Sequence, residues 1–97
     1  MWGRDWGSEM RTIDIRLFGA FRMFSQSSTI RLSIGKNALV ADLRGLLIDE
    51  LSKRFERQKV ADLVAASVFA NEESVVWDQS PIADHKELAM LPPVCGG

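Results

Sequence analysis

Two segments near the start of the chain alternate between apolar and polar residues. Residues 12–17 and 30–34 place isoleucine or leucine at every second position and fill the positions between with polar side chains. A period of two is typical of strands that bury one face against a core. A polar stretch at 25–28 separates the two segments, so we expect them to pair as an antiparallel hairpin with a short polar connection.

Residues 40–55 change to the spacing of a helix. Apolar residues recur there at intervals of three and four positions, which predicts an amphipathic helix of about four turns. These residues are Val40, Leu43, Leu47, Leu51 and Phe55. We expect Asn37 to cap the helix, Asp42 to lie near the positive end of its dipole, and the basic residues at 53, 54 and 57 to lie near the negative end. Arg44 is expected to be a solvated helix residue.

The C-terminal part of the chain consists of short apolar runs separated by turn-forming residues. The runs at 68–70, 75–77 and 88–91 predict three strands. The sequence Asn-Glu-Glu-Ser at 71–74 predicts a tight connection between the first two of them, and Ser80-Pro81 interrupts the chain again. Residues 58–66 are ambiguous and are consistent with a short helical turn.

This order of elements predicts an α+β fold in which a mixed sheet of about five strands packs on one main helix. The simplest such arrangement is a β-grasp. A ferredoxin-like fold is the alternative, although it needs a second substantial helix. We therefore expect a flexible N-terminal extension over 1–11, a β-grasp domain over 12–91 and an extended C-terminal tail over 92–97.

Composition places the chain among soluble globular proteins. Its 97 residues suit one domain, with 46% hydrophobic residues, 26% charged residues and a net charge of −1. No apolar run reaches the roughly 18 residues needed to cross a bilayer, so we expect a cytoplasmic protein that binds neither membranes nor nucleic acid. Residues 1–61 carry 11 basic and 7 acidic side chains, whereas 62–97 carry one basic and six acidic ones, which predicts an acidic surface around the C-terminal strands.

Candidate catalytic residues are few. The single cysteine, Cys95, and the single histidine, His85, exclude a zinc finger or an internal disulfide. The sequence holds no glycine-rich phosphate loop and no cluster with metal-ligand spacing. We expect His85 to be a solvated turn residue and Asp84 and Glu87 to be surface carboxylates, because no second catalytic group accompanies them. The chain is therefore not expected to be an enzyme on its own.

The end of the chain is its most informative part. The last predicted strand runs into Pro92 and Pro93, which lack a backbone N–H, so sheet pairing should stop there. The chain then continues through Val94 and Cys95 to two terminal glycines. Glycine has no Cβ, so such a tail fits a channel too narrow for side chains and presents its carboxylate deep inside another protein. A partner enzyme that uses ATP could activate this carboxylate as an acyl-adenylate.

Several motifs resemble a known family over residues 12–97. They are the tail Leu-Pro-Pro-Val-Cys-Gly-Gly at 91–97, Leu-Phe-Gly-Ala-Phe-Arg at 17–22, Val-Ala-Asp-Leu-Arg at 40–44, Phe-Ala-Asn at 69–71 and Pro-Ile-Ala-Asp at 81–84. These motifs resemble the MoaD/ThiS ubiquitin-like sulfur carriers, and most closely the small subunit of molybdopterin synthase. Two positions depart from the family pattern: Cys95 replaces the usual Ser, Thr or Ala, and His85 replaces a turn glycine.

The resemblance implies a function for the tail. In the family, an ATP-dependent adenylating and sulfurtransferase enzyme activates the terminal glycine, here Gly97, and converts it to a thiocarboxylate. The tail then donates sulfur to a pterin precursor in the large, catalytic subunit of molybdopterin synthase. The carrier binds no cofactor or metal itself, because ATP is used by the activating enzyme. The remaining residues implied in tail and partner binding are Gly96, Cys95, Val94, Pro93, Pro92, Leu91 and Phe18.

Three other functions remain open from the sequence. The first is a sulfur carrier for thiamine, tRNA thiolation, cysteine or another pathway, since the tail would look alike in each. The second is a ubiquitin-like modifier that forms isopeptide bonds between Gly97 and lysine side chains. The third is a β-grasp interaction domain whose tail takes no part in chemistry.

Overall fold

A computed structural model describes residues 9–92 of the chain as five strands, two α-helices and two short 3-10 helices. The strands are β1 (Met10–Leu17), β2 (Thr29–Gly35), β3 (Val68–Ala70), β4 (Val75–Val76) and β5 (Glu87–Leu91). The helices are α1 (Val40–Leu51) and α2 (Arg57–Ala66), and the 3-10 helices span Gly19–Phe24 and Ile82–Asp84.

The five strands form one mixed sheet in the order β2-β1-β5-β3-β4. The first and last strands, β1 and β5, lie side by side in the centre and run parallel, while every other pair is antiparallel. This topology confirms the predicted β-grasp and excludes the ferredoxin-like alternative. A ferredoxin-like fold places one helix in each of two β-α-β units, whereas both helices here lie between β2 and β3 along the chain.

The core lies between one face of the sheet and the two helices. Ile13, Ile15 and Leu17 in β1 are at most 3% exposed, which confirms the period of two that the sequence showed. In α1 the buried residues follow the predicted helical stripe. The fully buried residues of the core include Ile34, Val40, Leu43, Leu47, Val60, Val64, Phe69, Ile82, Leu88 and Met90. No helix within residues 9–92 covers the opposite face of the sheet, and we call it the open face.

Helix α1 begins at Val40, where the helical spacing starts, but it has a different cap and ends earlier than the sequence predicted. Its N-cap is Leu39, whose backbone N–H donates to Asp42 Oδ2 at 2.8 Å. Asn37 is therefore not the cap, because Leu39 is held extended by a β-bridge to Pro81. The helix ends at Leu51, and Phe55 packs against the core from the segment that follows.

Basic residues after α1 do not lie in its last turn. Instead Lys53 pairs with Glu50, and Arg57 pairs with Asp49 on the exposed surface. Arg54 Nη2 donates to the carbonyl of residue 24 at 2.9 Å. These side chains thus tie the end of α1 to its neighbours.

The ambiguous segment 58–66 belongs to a full helix of ten residues, α2. Only Val60 and Val64 are fully buried in it. Two buried positions are too few to give a clear helical period in the sequence, which is why the segment was ambiguous. Gln58 donates to Asp62 one turn later at 3.0 Å, which supports the helix on its exposed side.

The connection between β1 and β2 is not the short polar turn that was predicted. It contains the 3-10 helix Gly19–Phe24, whose Phe21 and Phe24 are each 1% exposed. The Phe24 ring meets Phe55 edge-on, with centroids 5.2 Å apart. This connection therefore closes one end of the core.

The first strand begins before residue 12, where the sequence placed the start of the domain. Met10 and Arg11, assigned by the sequence to the extension, are the first residues of β1 and pair with Gly35 and Ile34. Met10 is 51% exposed, so backbone pairing and not burial holds this end of the strand. Residues 1–8 lie outside the described part of the chain.

Candidate functional site

The C-terminal end of β5 is the place from which the tail departs. The parallel register pairs Leu17 of β1 with Met90 of β5, so the next residues along the two strands, Phe18 and Leu91, lie at the same end of the sheet. Leu91 also pairs with Val68 of β3. Pro92 follows as an exposed residue outside the sheet, as expected for proline. The sequence-predicted residues Phe18, Leu91 and Pro92 are thus brought together.

Gly19 fixes where the chain leaves the domain. Its φ of +58° is in the left-handed region that favours glycine. A Cβ at this position would lie 3.1 Å from Pro92 Cγ, so the proline ring packs directly on the glycine backbone. Sequence reasoning gave Gly19 no role, because its contact lies more than seventy positions away along the chain. The 3-10 helix after β1 therefore forms the base of the tail.

The open face carries an apolar strip beside this base, which we define as Phe18, Val68, Trp77 and Leu91. Their neighbours in sequence point into the core, so these four lie toward the opposite face. Phe18 is 38% exposed and Trp77 is 71% exposed, while Val68 and Leu91 are half-buried. Exposed apolar groups gathered in this way are typical of surfaces that bind other proteins.

The open face also carries charged side chains. Arg31 on β2 donates to both carboxylate oxygens of Asp14 on β1, at 2.8 and 3.3 Å. The hydrogen bond from Arg31 lowers the pKa of the Asp14 carboxyl from its ordinary value. Acidic residues of the C-terminal half line a concavity on the side of β3 and β5, as the uneven charge distribution predicted. They are Glu72, Glu73, Asp84 and Glu87.

Arg44 is not the solvated residue that the sequence suggested. Its side chain is 18% exposed, and Nη1 donates to Val64 O at 2.7 Å and to the backbone oxygen and hydroxyl of Ser67, each at 2.9 Å. Nη2 reaches Asp78 Oδ1 at 2.9 Å, and the guanidinium lies 4.8 Å from the centroid of the Phe69 ring. Arg44 therefore joins α1 to the end of α2, to β3 and to the loop after β4.

The polar segment before β5 holds His85, Asp84 and the start of the strand at Glu87. His85 is not the solvated turn residue that was expected, because it is half-buried and one ring nitrogen lies 3.2 Å from Ser80 Oγ. Asp84 and Glu87 are exposed. Among residues 9–92, no three His, Cys, Asp or Glu side chains are placed to hold a metal ion. No helix in this part of the chain is long and apolar enough to span a membrane.

The remaining predicted site residues lie beyond the described range. They are Pro93, Val94, Cys95, Gly96 and Gly97. Their roles stay predictions of the sequence. What the structure adds is the geometry of the base to which this segment is joined.

Comparison with known proteins defines the fold. No protein-family model and no curated protein sequence matches the chain. Among solved structures, SAMP1 from Haloferax volcanii is similar, with 22% identity, a TM-score of 0.65, and coverage of 90% of this chain and 100% of that one. The Haloferax volcanii protein HVO 2177 is similar over 100% of both chains, with 20% identity and a TM-score of 0.63. The chain therefore has the ubiquitin-like β-grasp fold.

Proposed function

We propose that this protein is a sulfur carrier whose C-terminal Gly97 is adenylated and converted to a thiocarboxylate, which donates sulfur for dithiolene formation in molybdopterin biosynthesis. The observation that carries the proposal is the Pro-Pro-Val-Cys-Gly-Gly segment placed directly after the central strand β5 of a β-grasp domain. The likeness to SAMP1 supports this placement at the level of the fold. The protein acts as co-substrate and carrier subunit and is not catalytic alone.

The chemistry proposed for the tail needs little from this chain besides its carboxylate. A carboxylate oxygen of Gly97 attacks the α-phosphate of ATP, and pyrophosphate leaves. A persulfide sulfur then attacks the acyl carbon and displaces AMP, and a thiol of the activating enzyme cleaves the remaining S–S bond to leave the thiocarboxylate. Gly96 and Gly97 carry no Cβ, so both can pass through a narrow channel to the reagents.

The apolar strip is the surface that we propose for partner binding. It lies next to Pro92, so a protein that encloses the tail also covers Phe18 and Leu91. Aromatic residues such as Phe18 and Trp77 supply much of the binding free energy at interfaces. We propose two partners for this strip: the ATP-dependent activating enzyme, and the large catalytic subunit of a molybdopterin synthase.

The decisive experiment is the intact mass of the full chain after incubation with ATP, an activating enzyme and a sulfur source. The proposal predicts a gain that corresponds to one oxygen replaced by sulfur. A variant that lacks Gly97 is the matched control, because it should keep the same circular dichroism spectrum and gain nothing. If the wild-type chain releases no pyrophosphate from ATP with any candidate activating enzyme, the carrier function is wrong.

Two related functions are separated by the fate of the activated tail. If the thiocarboxylate forms but gives no dithiolene product with the large subunit and a pterin precursor, the carrier serves another sulfur-transfer pathway. If the activated Gly97 passes to lysine side chains and gives adducts of higher mass, the protein is a modifier. The ubiquitin-like fold and the same Gly-Gly segment support this second candidate equally.

Docking is tested separately by substitution on the apolar strip. Phe18→Ser should weaken binding to the activating enzyme with only a small loss of stability, because Phe18 is already 38% exposed. Met23→Ser is the control, since Met23 is 48% exposed on the nearby 3-10 helix but lies off the strip. Equal affinities for the two variants would show that the strip is not the docking surface.

A further inference from the structure

A cleft of about 250 Å³ opens beside the base of the tail. Two arginines, Arg16 from β1 and Arg22 from the 3-10 helix, lie among its walls, and Ser27, Ser28 and Thr29 contribute hydroxyl groups. The remaining lining residues are Leu17, Phe18 and Gly19. No carboxylate lies among them, although Arg16 also borders a neighbouring concavity lined by Glu72 and Glu87.

Neither arginine has a carboxylate within ion-pair distance in the described part of the chain. Arg11 and Arg54 also lack a carboxylate partner, but each donates to a backbone carbonyl, whereas Arg16 and Arg22 lie together in one cleft. Arg22 Nε donates to Ser28 Oγ at 3.2 Å, which orients the guanidinium and leaves its two terminal nitrogens available. The Arg16 guanidinium lies 5.7 Å from the centroid of the Phe18 ring. Planar guanidinium groups held in this way favour a carboxylate or phosphate.

The position of the cleft indicates where its ligand comes from. Gly19 lines the cleft and also contacts Pro92 at the base of the tail. Phe18 belongs both to the cleft and to the apolar strip. A protein that encloses the tail and covers the strip therefore also covers the cleft, and its own side chains are the nearest source of an anion.

We propose that this cleft binds an aspartate or glutamate side chain of the protein that receives the tail, an inference that rests on the proposed function. The carboxylate accepts hydrogen bonds from the terminal nitrogens of Arg22 and from Arg16. This ionic contact fixes the rotation of the carrier about its tail, which an apolar strip alone does not. It also steers the two proteins together, so the association rate falls as ionic strength rises.

The first test measures the dissociation constant of the full chain with its activating enzyme at low and high ionic strength. The double variant Arg16→Gln, Arg22→Gln should bind about tenfold more weakly or worse, and its affinity should depend less on salt. Lys59→Gln on the exposed side of α2 loses one positive charge elsewhere and should change affinity less than about twofold. A double variant that matches the Lys59→Gln control overturns the proposal.

The second test needs no activating enzyme and separates this proposal from the carrier function. Wild-type chain labelled with ¹⁵N is titrated with a short oligoglutamate peptide and, in parallel, with inorganic phosphate. Shifts confined to the Nε–H signals of Arg16 and Arg22, and absent from Arg31, support a carboxylate site. No shift, shifts spread over all arginines, or tighter binding of phosphate than of the peptide would overturn it, whether or not Gly97 is activated.

Discussion

Replacing Arg44 with methionine tests the interpretation that this residue ties the helices to the sheet. Methionine keeps an unbranched side chain in α1 but removes the guanidinium that reaches Val64, Ser67 and Asp78. Not every lost contact leaves an unsatisfied group, because Val64 O still accepts from the backbone N–H and the hydroxyl of Ser67. The backbone oxygen of Ser67 also loses its hydrogen bond from Arg44. Because Ser67 is only 5% exposed, this loss costs more free energy than the loss at Val64 O.

The expected loss follows from these contacts. A hydrogen bond to a charged group contributes about 1.5–3 kcal/mol, and the half-exposed pair with Asp78 contributes no more than about 1 kcal/mol. We therefore expect Arg44→Met to lower the free energy of unfolding by about 3 kcal/mol. For a domain of this size the melting temperature should fall by roughly 12–24 °C.

Urea unfolding followed by circular dichroism measures this loss directly, provided that the slope against urea concentration is unchanged. Arg57→Met is the matched control, because its ion pair with Asp49 joins side chains that are 66% and 37% exposed, and it should cost less than about 0.5 kcal/mol. Arg44→Lys should lie between the two, since one ammonium cannot reach all four acceptors. An Arg44→Met variant as stable as the control would refute the reasoning.

Three further predictions concern the base of the tail, the open face and the 3-10 helix. Gly19→Ala should lower the free energy of unfolding by about 1–2 kcal/mol, because alanine is strained at a φ of +58°, and NMR shifts should show Pro92 displaced. The Asp14 carboxyl should titrate below its ordinary pKa by NMR, and in Arg31→Gln the pKa should return to the ordinary range. The pKa of Asp14 is lower in the folded chain than in the unfolded chain. The ion pair therefore stabilises the fold at pH values above the ordinary pKa, and this stabilisation is lost as the pH falls through the lowered pKa. Phe24→Ala should cost about 3–5 kcal/mol in urea unfolding, and a loss below about 1 kcal/mol would show that the connection is not part of the core.

The sequence predicted those elements whose burial depends on local spacing. The predictions for residues 12–17 and for the apolar stripe of α1 were confirmed, because the spacing of apolar residues depends on which side of each element faces the core. The strand order and the parallel pairing of β1 with β5 agree with the fold that the chain order favoured. The role of the Gly-Gly segment stays a prediction, which rests on its chemistry and not on any periodicity.

Other features depended on contacts that no local pattern records. Arg44 finds its acceptors between 20 and 34 positions away, so it looked like any exposed helix residue. The cap of α1 depends on the bridge between Leu39 and Pro81. The cleft combines Arg16 from a strand with Arg22 from a 3-10 helix. The sequence pattern of either element alone does not indicate that the two cations share one surface.

The central parallel pair also determines how the domain responds to force. Four residues of β5 pair with β1, from Glu87 opposite Asp14 to Met90 opposite Leu17. A pull on the chain beyond Pro92, opposed by a pull at the start of β1, loads these hydrogen bonds in shear, so they must break together and not one after another. A partner can therefore draw the tail tightly into a channel while the folded domain stays outside the channel entrance and resists unfolding.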